Sequence, residues 1–205
     1  MARIAVIGGS GYAGRQIVAE AVRRGHAVLS IARRVPSERV HGAMYIEGSL
    51  TDVPALLAQL VGVDVVVCAV PPRGDMAGLV RPNIAALVST LPEGVRFGVI
   101  GGAVSSLVTA AGERIVDLPS VAGDYMPEAL ESIGILDDLQ AAGGSLDWFH
   151  IHPSGGFEGW DPDEPTSSEA GWTITDASGQ SSVSGVDLER VVVDQIENPR
   201  SVRGA

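Results

Sequence analysis

Short apolar runs alternate along the chain with longer stretches in which apolar residues recur every three or four positions. Residues 3–7, 27–31, 43–47, 64–70, 95–100 and 146–151 are continuously apolar or nearly so, rich in Val and Ile, and bounded by Gly, Pro or Asp. That pattern predicts six strands, most of them buried on both faces of one sheet. Residues 12–24, 52–61, 76–91 and 128–142 carry helical spacing; Pro127 marks the start of the last of these. A βαβα rhythm of this kind calls for a parallel sheet with right-handed crossovers. The stretch from Pro153 to Gly185 breaks the rhythm, being rich in Gly, Pro, Ser, Asp and Glu, with Trp172 to Thr175 as one short candidate strand. Residues 186–197 read as a final helix ended by Asn198-Pro199. No repeat or linker divides the chain, so residues 1–205 are expected to form a single domain in which 153–185 is an irregular segment.

Composition narrows the picture. A hydrophobic share of 45% suffices for a packed core in 205 residues, and an aromatic share of 4% leaves Ala, Val, Leu and Ile to fill it. The net charge of −11 repels phosphate backbones and argues against nucleic acid as a partner. All 14 basic residues are Arg, so a Schiff-base lysine, or a lysine that tunes a phenol, is impossible. Cys68 stands alone within Val65–Val70, a buried-strand pattern, and reads as a core thiol; it permits neither an internal disulfide nor a multi-cysteine metal site. No apolar run is long enough for a membrane helix, and Ile4–Ile7 is too short for a signal-peptide core, so a cytoplasmic protein is expected.

The chemistry starts at Gly8-Gly9-Ser10-Gly11-Tyr12-Ala13-Gly14, where the first predicted strand passes into the first helix. Gly8 suits a tight turn. Gly11 lets backbone approach a pyrophosphate with no Cβ in the way. Gly14 permits close packing of helix on strand. The helix N-terminus adds free N–H groups and partial positive charge. A dinucleotide site is the expected reading in this strand–turn–helix context. An NAD site commonly places an acid after the second strand, for the ribose 2′-hydroxyl; here Arg33 and Arg34 follow it. Two guanidinium groups suit a 2′-phosphate, which points to NADP(H).

Residues Ile4 to Arg34 resemble the atypical, NAD(P)H-binding branch of the short-chain dehydrogenase/reductase superfamily (epimerase/dehydratase-like and flavin-reductase-like proteins). The likeness continues through Gly48–Asp52, Val65–Pro72, Phe97–Ala103, Asp147–Phe149 with Pro153, and Val183–Pro199, nearly the whole chain. The resemblance implies a Rossmann-like doubly wound parallel sheet with a small C-terminal substrate-side region. It implies that Gly8, Ser10, Gly11, Tyr12 and Gly14 surround the pyrophosphate and that Arg33 and Arg34 face the adenosine phosphate. Ser49 would lie near the adenine, where relatives often have Asp. Ala69, Val70 and Pro71 would pass the adenosine ribose, and Gly101 and Gly102 the nicotinamide side. The superfamily's usual Tyr-x-x-x-Lys is absent: Tyr125-Met126-Pro127-Glu128-Ala129 has no Lys.

Ligands of parallel sheets bind beyond the carboxyl ends of the strands. Tyr125, Ser105 and His152 are therefore the candidate catalytic groups: Tyr125 to protonate or orient a carbonyl, Ser105 to assist by hydrogen bonding, His152 to act as acid or base near neutral pH. His150 and His152 share a strand face, but no third ligand stands at suitable spacing, so no metal is expected. The leading expectation is an NADP(H)-dependent oxidoreductase acting on a small carbonyl, quinone, flavin or enone, as a monomer or homodimer with a small-molecule substrate. A non-redox biosynthetic enzyme (isomerase, dehydratase or cyclase) and an NADP(H)-binding regulatory sensor are the alternatives.

Overall fold

The computed structural model describes residues 1–102, 114–117, 123, 125–142, 146–152 and 185–199. The candidate strand 172–175, the segment 153–184 and Ser105 lie outside these residues. Six strands, β1 (Arg3–Ile7), β2 (Ala27–Ala32), β3 (Met44–Glu47), β4 (Val65–Cys68), β5 (Arg96–Ile100) and β6 (Trp148–Ile151), form one sheet in the order β3-β2-β1-β4-β5-β6. Every neighbouring pair is parallel. The chain winds outward from β1 to β3, returns to β4 beside β1, and winds outward again. This doubly wound arrangement is Rossmann-like, and its direction reverses between β1 and β4, where a crevice opens beyond the carboxyl ends of the strands.

Alternation explains why the strands read as continuously apolar. Ala5 and Ile7 of β1 pack on one face with Leu56, Val66, Leu87 and Phe97, under α2 (Val53–Gln59), α3 (Val80–Val88) and α4 (Met126–Ala141). Ile4 and Val6 point to the other face, with Ile17, Val18, Val67, Phe149 and Val192, under α1 (Tyr12–Arg23) and α5 (Gly185–Glu197). Each face thus removes apolar side chains from water at about 25 cal/mol per Å². The Cys68 thiol lies in the core, and burial pushes its pKa up to about 11. No helix among the described residues is long and apolar enough to cross a membrane.

The third helix departs from its sequence pattern. Spacing predicts a helix over 76–91, whereas α3 begins at Val80. Gly74 and Gly78 take φ values of 60° and 74°, which break the helix, and Gly74–Met76 forms a 3-10 turn instead. Glu131 of α4 then caps the new start, its carboxylate accepting from Gly78 N at 2.5 Å and Arg81 N at 2.9 Å. Residues 76–79 are thereby left outside the helix, and Arg73, Asp75 and Met76 lie beside the crevice.

Candidate nucleotide cleft at the carboxyl ends of the strands

The turn after β1 is built by glycines in close approach. Gly8 adopts φ 83°, and Gly8 N and Gly9 N both donate to the Ile31 carbonyl, at 2.8 and 3.2 Å. Gly11 N donates back to Gly8 O at 2.9 Å and Gly11 becomes the N-cap of α1, with no side chain capping the helix. The first-turn N–H groups therefore keep their capacity to receive an anion. A Cβ on Gly14 would overlap the Gly8 carbonyl, and one on Gly9 would overlap the Ser30 hydroxyl. Gly14 thus presses α1 onto the Gly8-Gly9 turn itself. Gly9, which motif spacing does not single out, is as tightly confined, because buried Ser30 of β2 stands against it.

Beside this turn lies a cavity of about 320 Å³. Of the residues expected at a cofactor, Gly8, Ser10, Gly11, Arg33, Ser49, Ala69, Val70 and Pro71 line it. The others stand elsewhere. Gly14 supports the turn from behind. Tyr12 is exposed, with the Arg15 guanidinium 5.7 Å from its ring centroid. Arg34 is exposed outside the lining, and Gly101 and Gly102 follow β5, also outside it. Seven further lining residues were not expected at the cofactor: Ile7, Ala32, Gly48, Leu50, Arg73, Asp75 and Met76. Arg73 and Asp75 follow Pro71-Pro72 directly beyond β4, so the same carboxyl-end rule that selected groups after β5 and β6 would have found them. The Asp75 carboxylate accepts from Arg33 Nη1 across the cavity. That guanidinium holds the Asp75 carboxyl below its ordinary range.

A larger groove of about 540 Å³ lies between α3 and α4 beside Val95 and Asp147. It sits at the amino ends of β5 and β6, away from the glycine turn, so the smaller cavity is the better candidate for chemistry.

The proposed acid–base groups are changed by their surroundings. Tyr125 is the N-cap of α4 and 44% exposed. Burial of its ring edge, then the Glu128 carboxylate, raise its phenol above the ordinary value, against an opposing pull from Arg73. His150 and His152 bring their rings to a centroid distance of 4.5 Å at the end of β6. Burial, then Arg114, lower His152 to about 4. Burial, then His152 and Arg114, hold His150 well below the ordinary imidazole range. Neutral pH therefore leaves His152 uncharged: it has no proton to give as an imidazolium, in contrast to the expectation from its unperturbed value. Among the described residues, no group of three His, Cys, Asp or Glu is placed to hold a metal ion.

Comparison with known proteins places this geometry. Residues 8–199 match the family model described as NAD(P)H-binding. The chain belongs to the NAD(P)H-binding family. The family's name carries its cofactor class, a nicotinamide dinucleotide. Within reach of this family, the chain is 30% identical over 207 residues to the uncharacterized protein YwnB of Bacillus subtilis, covering 96% of this chain and 93% of that protein. It is similar in structure to a candidate NADH-flavin reductase from Streptococcus pneumoniae, with a TM-score of 0.87 and 27% identity over 99% of this chain and 96% of that one. It is also similar to a candidate exported protein from Burkholderia pseudomallei, with a TM-score of 0.84 and 29% identity over 99% and 97% of the two chains.

Proposed function

We propose that this member of the NAD(P)H-binding family is an NADP(H)-dependent oxidoreductase whose hydride acceptor is a flavin or a quinone, within the wider class of small carbonyls, quinones, flavins and enones. The observation that carries the NADP(H) reading is Arg33. It follows β2, at the place where an NAD site commonly has an acid, and its side chain lines the cavity that contains the glycine turn. Gly8 and Gly11 present backbone and a helix N-terminus to the pyrophosphate. Ser49, Ala69, Val70 and Pro71 form the walls that hold the adenosine half. When bound, the nicotinamide supplies a hydride.

The choice of acceptor rests on what the chain lacks. A carbonyl reduced to an alkoxide needs a proton donor of suitable pKa at hand. The chain has no Lys, Tyr125 is displaced towards a weaker acid, and His152 is neutral. Flavins and quinones accept hydride with little help from an acid, so these residues suffice for them. The likeness to a candidate NADH-flavin reductase supports the same acceptor.

The test is NADPH oxidation with flavin mononucleotide, a benzoquinone, an aldehyde and an enone in parallel. Turnover is expected with the flavin or the quinone, with a rate nearly flat across about pH 6 to 8, where no imidazole in the site titrates. Arg33→Gln should weaken NADPH binding about tenfold through loss of a charge-assisted fork. Tight NADPH binding without turnover on any acceptor would overturn the enzymatic reading in favour of cofactor sensing.

A further inference from the structure

The NADP(H) reading turns on the missing acid after β2, yet the fold brings an acid to that place from another loop. Asp75 lies in the 3-10 turn beyond β4 and reaches Arg33, and both side chains line the cavity. Gly74, at φ 60°, sets the direction of that turn, and the buried Met76 anchors it in the core. The backbone under Asp75 is thereby fixed, while its carboxylate stays 68% exposed and the Arg33 side chain 57% exposed. Charge, and little packing, holds the two together.

We infer that Asp75 sets the choice between phosphorylated and unphosphorylated dinucleotide by competing with the adenosine 2′-phosphate for the Arg33 guanidinium. The inference rests on the reading that Arg33 takes that phosphate. A 2′-phosphate needs the Arg33 fork, which Asp75 already engages. An unphosphorylated ribose makes no claim on the guanidinium. Its 2′-hydroxyl can donate to a carboxylate, the service that an acid after the second strand performs in NAD sites. Asp75 thus tempers a site that Arg33 alone would bias strongly towards the phosphorylated cofactor. It is a positioning residue for Arg33 and needs no part in hydride transfer.

Dissociation constants for NADP+ and NAD+, measured by titration calorimetry on the wild-type chain, Asp75→Asn, Asp75→Ala, Arg33→Gln and the Arg33→Gln/Asp75→Ala pair, test this. Both Asp75 variants should bind NADP+ about threefold to fivefold more tightly, the scale of one exposed ion pair, and should bind NAD+ no more tightly than before. The gain should shrink between about 0.05 M and about 0.5 M salt, as a screened charge effect does and a packing effect does not. In the Arg33→Gln background, Asp75→Ala should leave NADP+ affinity unchanged. If Arg33→Gln weakens NADP+ but neither Asp75 variant strengthens it, the competition is overturned while the NADP(H) reading stands. If Arg33→Gln leaves NADP+ affinity intact, both fall. A gain that survives in the Arg33→Gln background also overturns competition for the guanidinium, since the carboxylate would then act on the phosphate directly.

Discussion

Two clusters of ionisable side chains stand at opposite ends of the sheet, and burial has treated them in opposite ways. At the amino ends of the strands, Glu20 of α1 is 6% exposed yet charged. Arg23 Nε donates to it at 2.6 Å and Arg24 Nε at 2.7 Å. Arg24 continues to Asp194 at 2.5 Å and Glu197 at 2.8 Å, which ties α1 to α5. The Arg23 hydrogen bond, against the upward push of burial and with help from Arg24, holds the Glu20 carboxyl at about 2. At the carboxyl end of β6, His150 and His152 are half-buried with ring nitrogens shielded from solvent, and they have lost their charge. Among the described residues neither His150 ring nitrogen has a hydrogen-bond partner, and the charge that acts on both histidines, Arg114, is of the wrong sign. Charge survives burial where partners of opposite sign are delivered by two helices, and it is lost where they are not. The end of the molecule that carries the cleft therefore presents arginines and no imidazolium at neutral pH.

The largest expected effect separates the clusters by pH. His152 has a folded pKa of about 4 against an ordinary 6.5. The unfolded chain therefore binds the extra proton first. Stability is full above about pH 6.5 and falls as pH drops towards 4, by about 3 kcal/mol from this one group at about 1.4 kcal/mol per pH unit. His150 adds to the loss in the same direction. Glu20, with a folded pKa of about 2 against 4.5, loses its contribution in a later window, below about pH 4.5. Urea unfolding at stepped pH should show both limbs. His152→Gln should shrink the first to the share of His150 and leave the second, while Glu20→Gln should keep the first and flatten the second. A single limb in the wild type, or a His152 variant that keeps the first limb undiminished, would break the comparison.

Next in size is the removal of one partner from the paired cluster. Arg24→Leu leaves Glu20 buried with Arg23 alone, removes the bonds from Arg24 to Asp194 and Glu197, and leaves Glu197 with His26. A loss of about 2 to 3 kcal/mol is expected, or roughly 5 to 10 °C in Tm for a domain of this length. Arg81→Leu is the control. Its bidentate pair with Asp138, at 2.7 and 2.8 Å, joins α3 to α4, but both side chains are over two-fifths exposed, and a loss below about 1 kcal/mol is expected. Equal losses in thermal melts would show that burial is not what distinguishes the networks.

The two clusters also mark what could be read in the sequence. Strand positions and the glycine turn follow from local signals, because apolar runs and glycine spacing act within a few residues of themselves, while the doubly wound order was expected from the family resemblance. The start of α3 at Val80 does not: the helical period runs back to residue 76, and it is overridden by Gly74, Gly78 and a cap from Glu131, some 50 residues away. Arg33 was legible as a residue beyond β2, and it lines the cavity. The same carboxyl-end rule reaches Asp75 beyond β4, but its pairing with Arg33 was not legible, since 42 residues separate them and only the crossover from β3 to β4 brings them together. His152 was legible as a residue beyond a strand, but its protonation depends on the His150 ring and on Arg114, which no spacing reveals.

A third effect, smaller than the loss at Arg24, probes the neutral cluster from the end of β5. Gly101 N donates to Ile151 O at 2.9 Å, which holds the end of β5 against β6. A Cβ on Gly101 would overlap Cε1 of His150, so the ring occupies the space that any side chain there would need. The same ring meets its neighbour His152 edge to face, at an interplanar angle of 61°, and the three form one packed unit at the strand ends. Gly101→Ala should therefore displace the imidazole, at a cost of about 1 to 2 kcal/mol. His150→Ala removes the obstacle while opening a cavity of its own. If the contact is what confines Gly101, the double variant should lose clearly less stability than the two single losses added together. Additive losses in urea unfolding would mean that Gly101 is confined by its backbone alone. The histidine pair would then be an independent feature of β6, with no hold on the loop that follows β5.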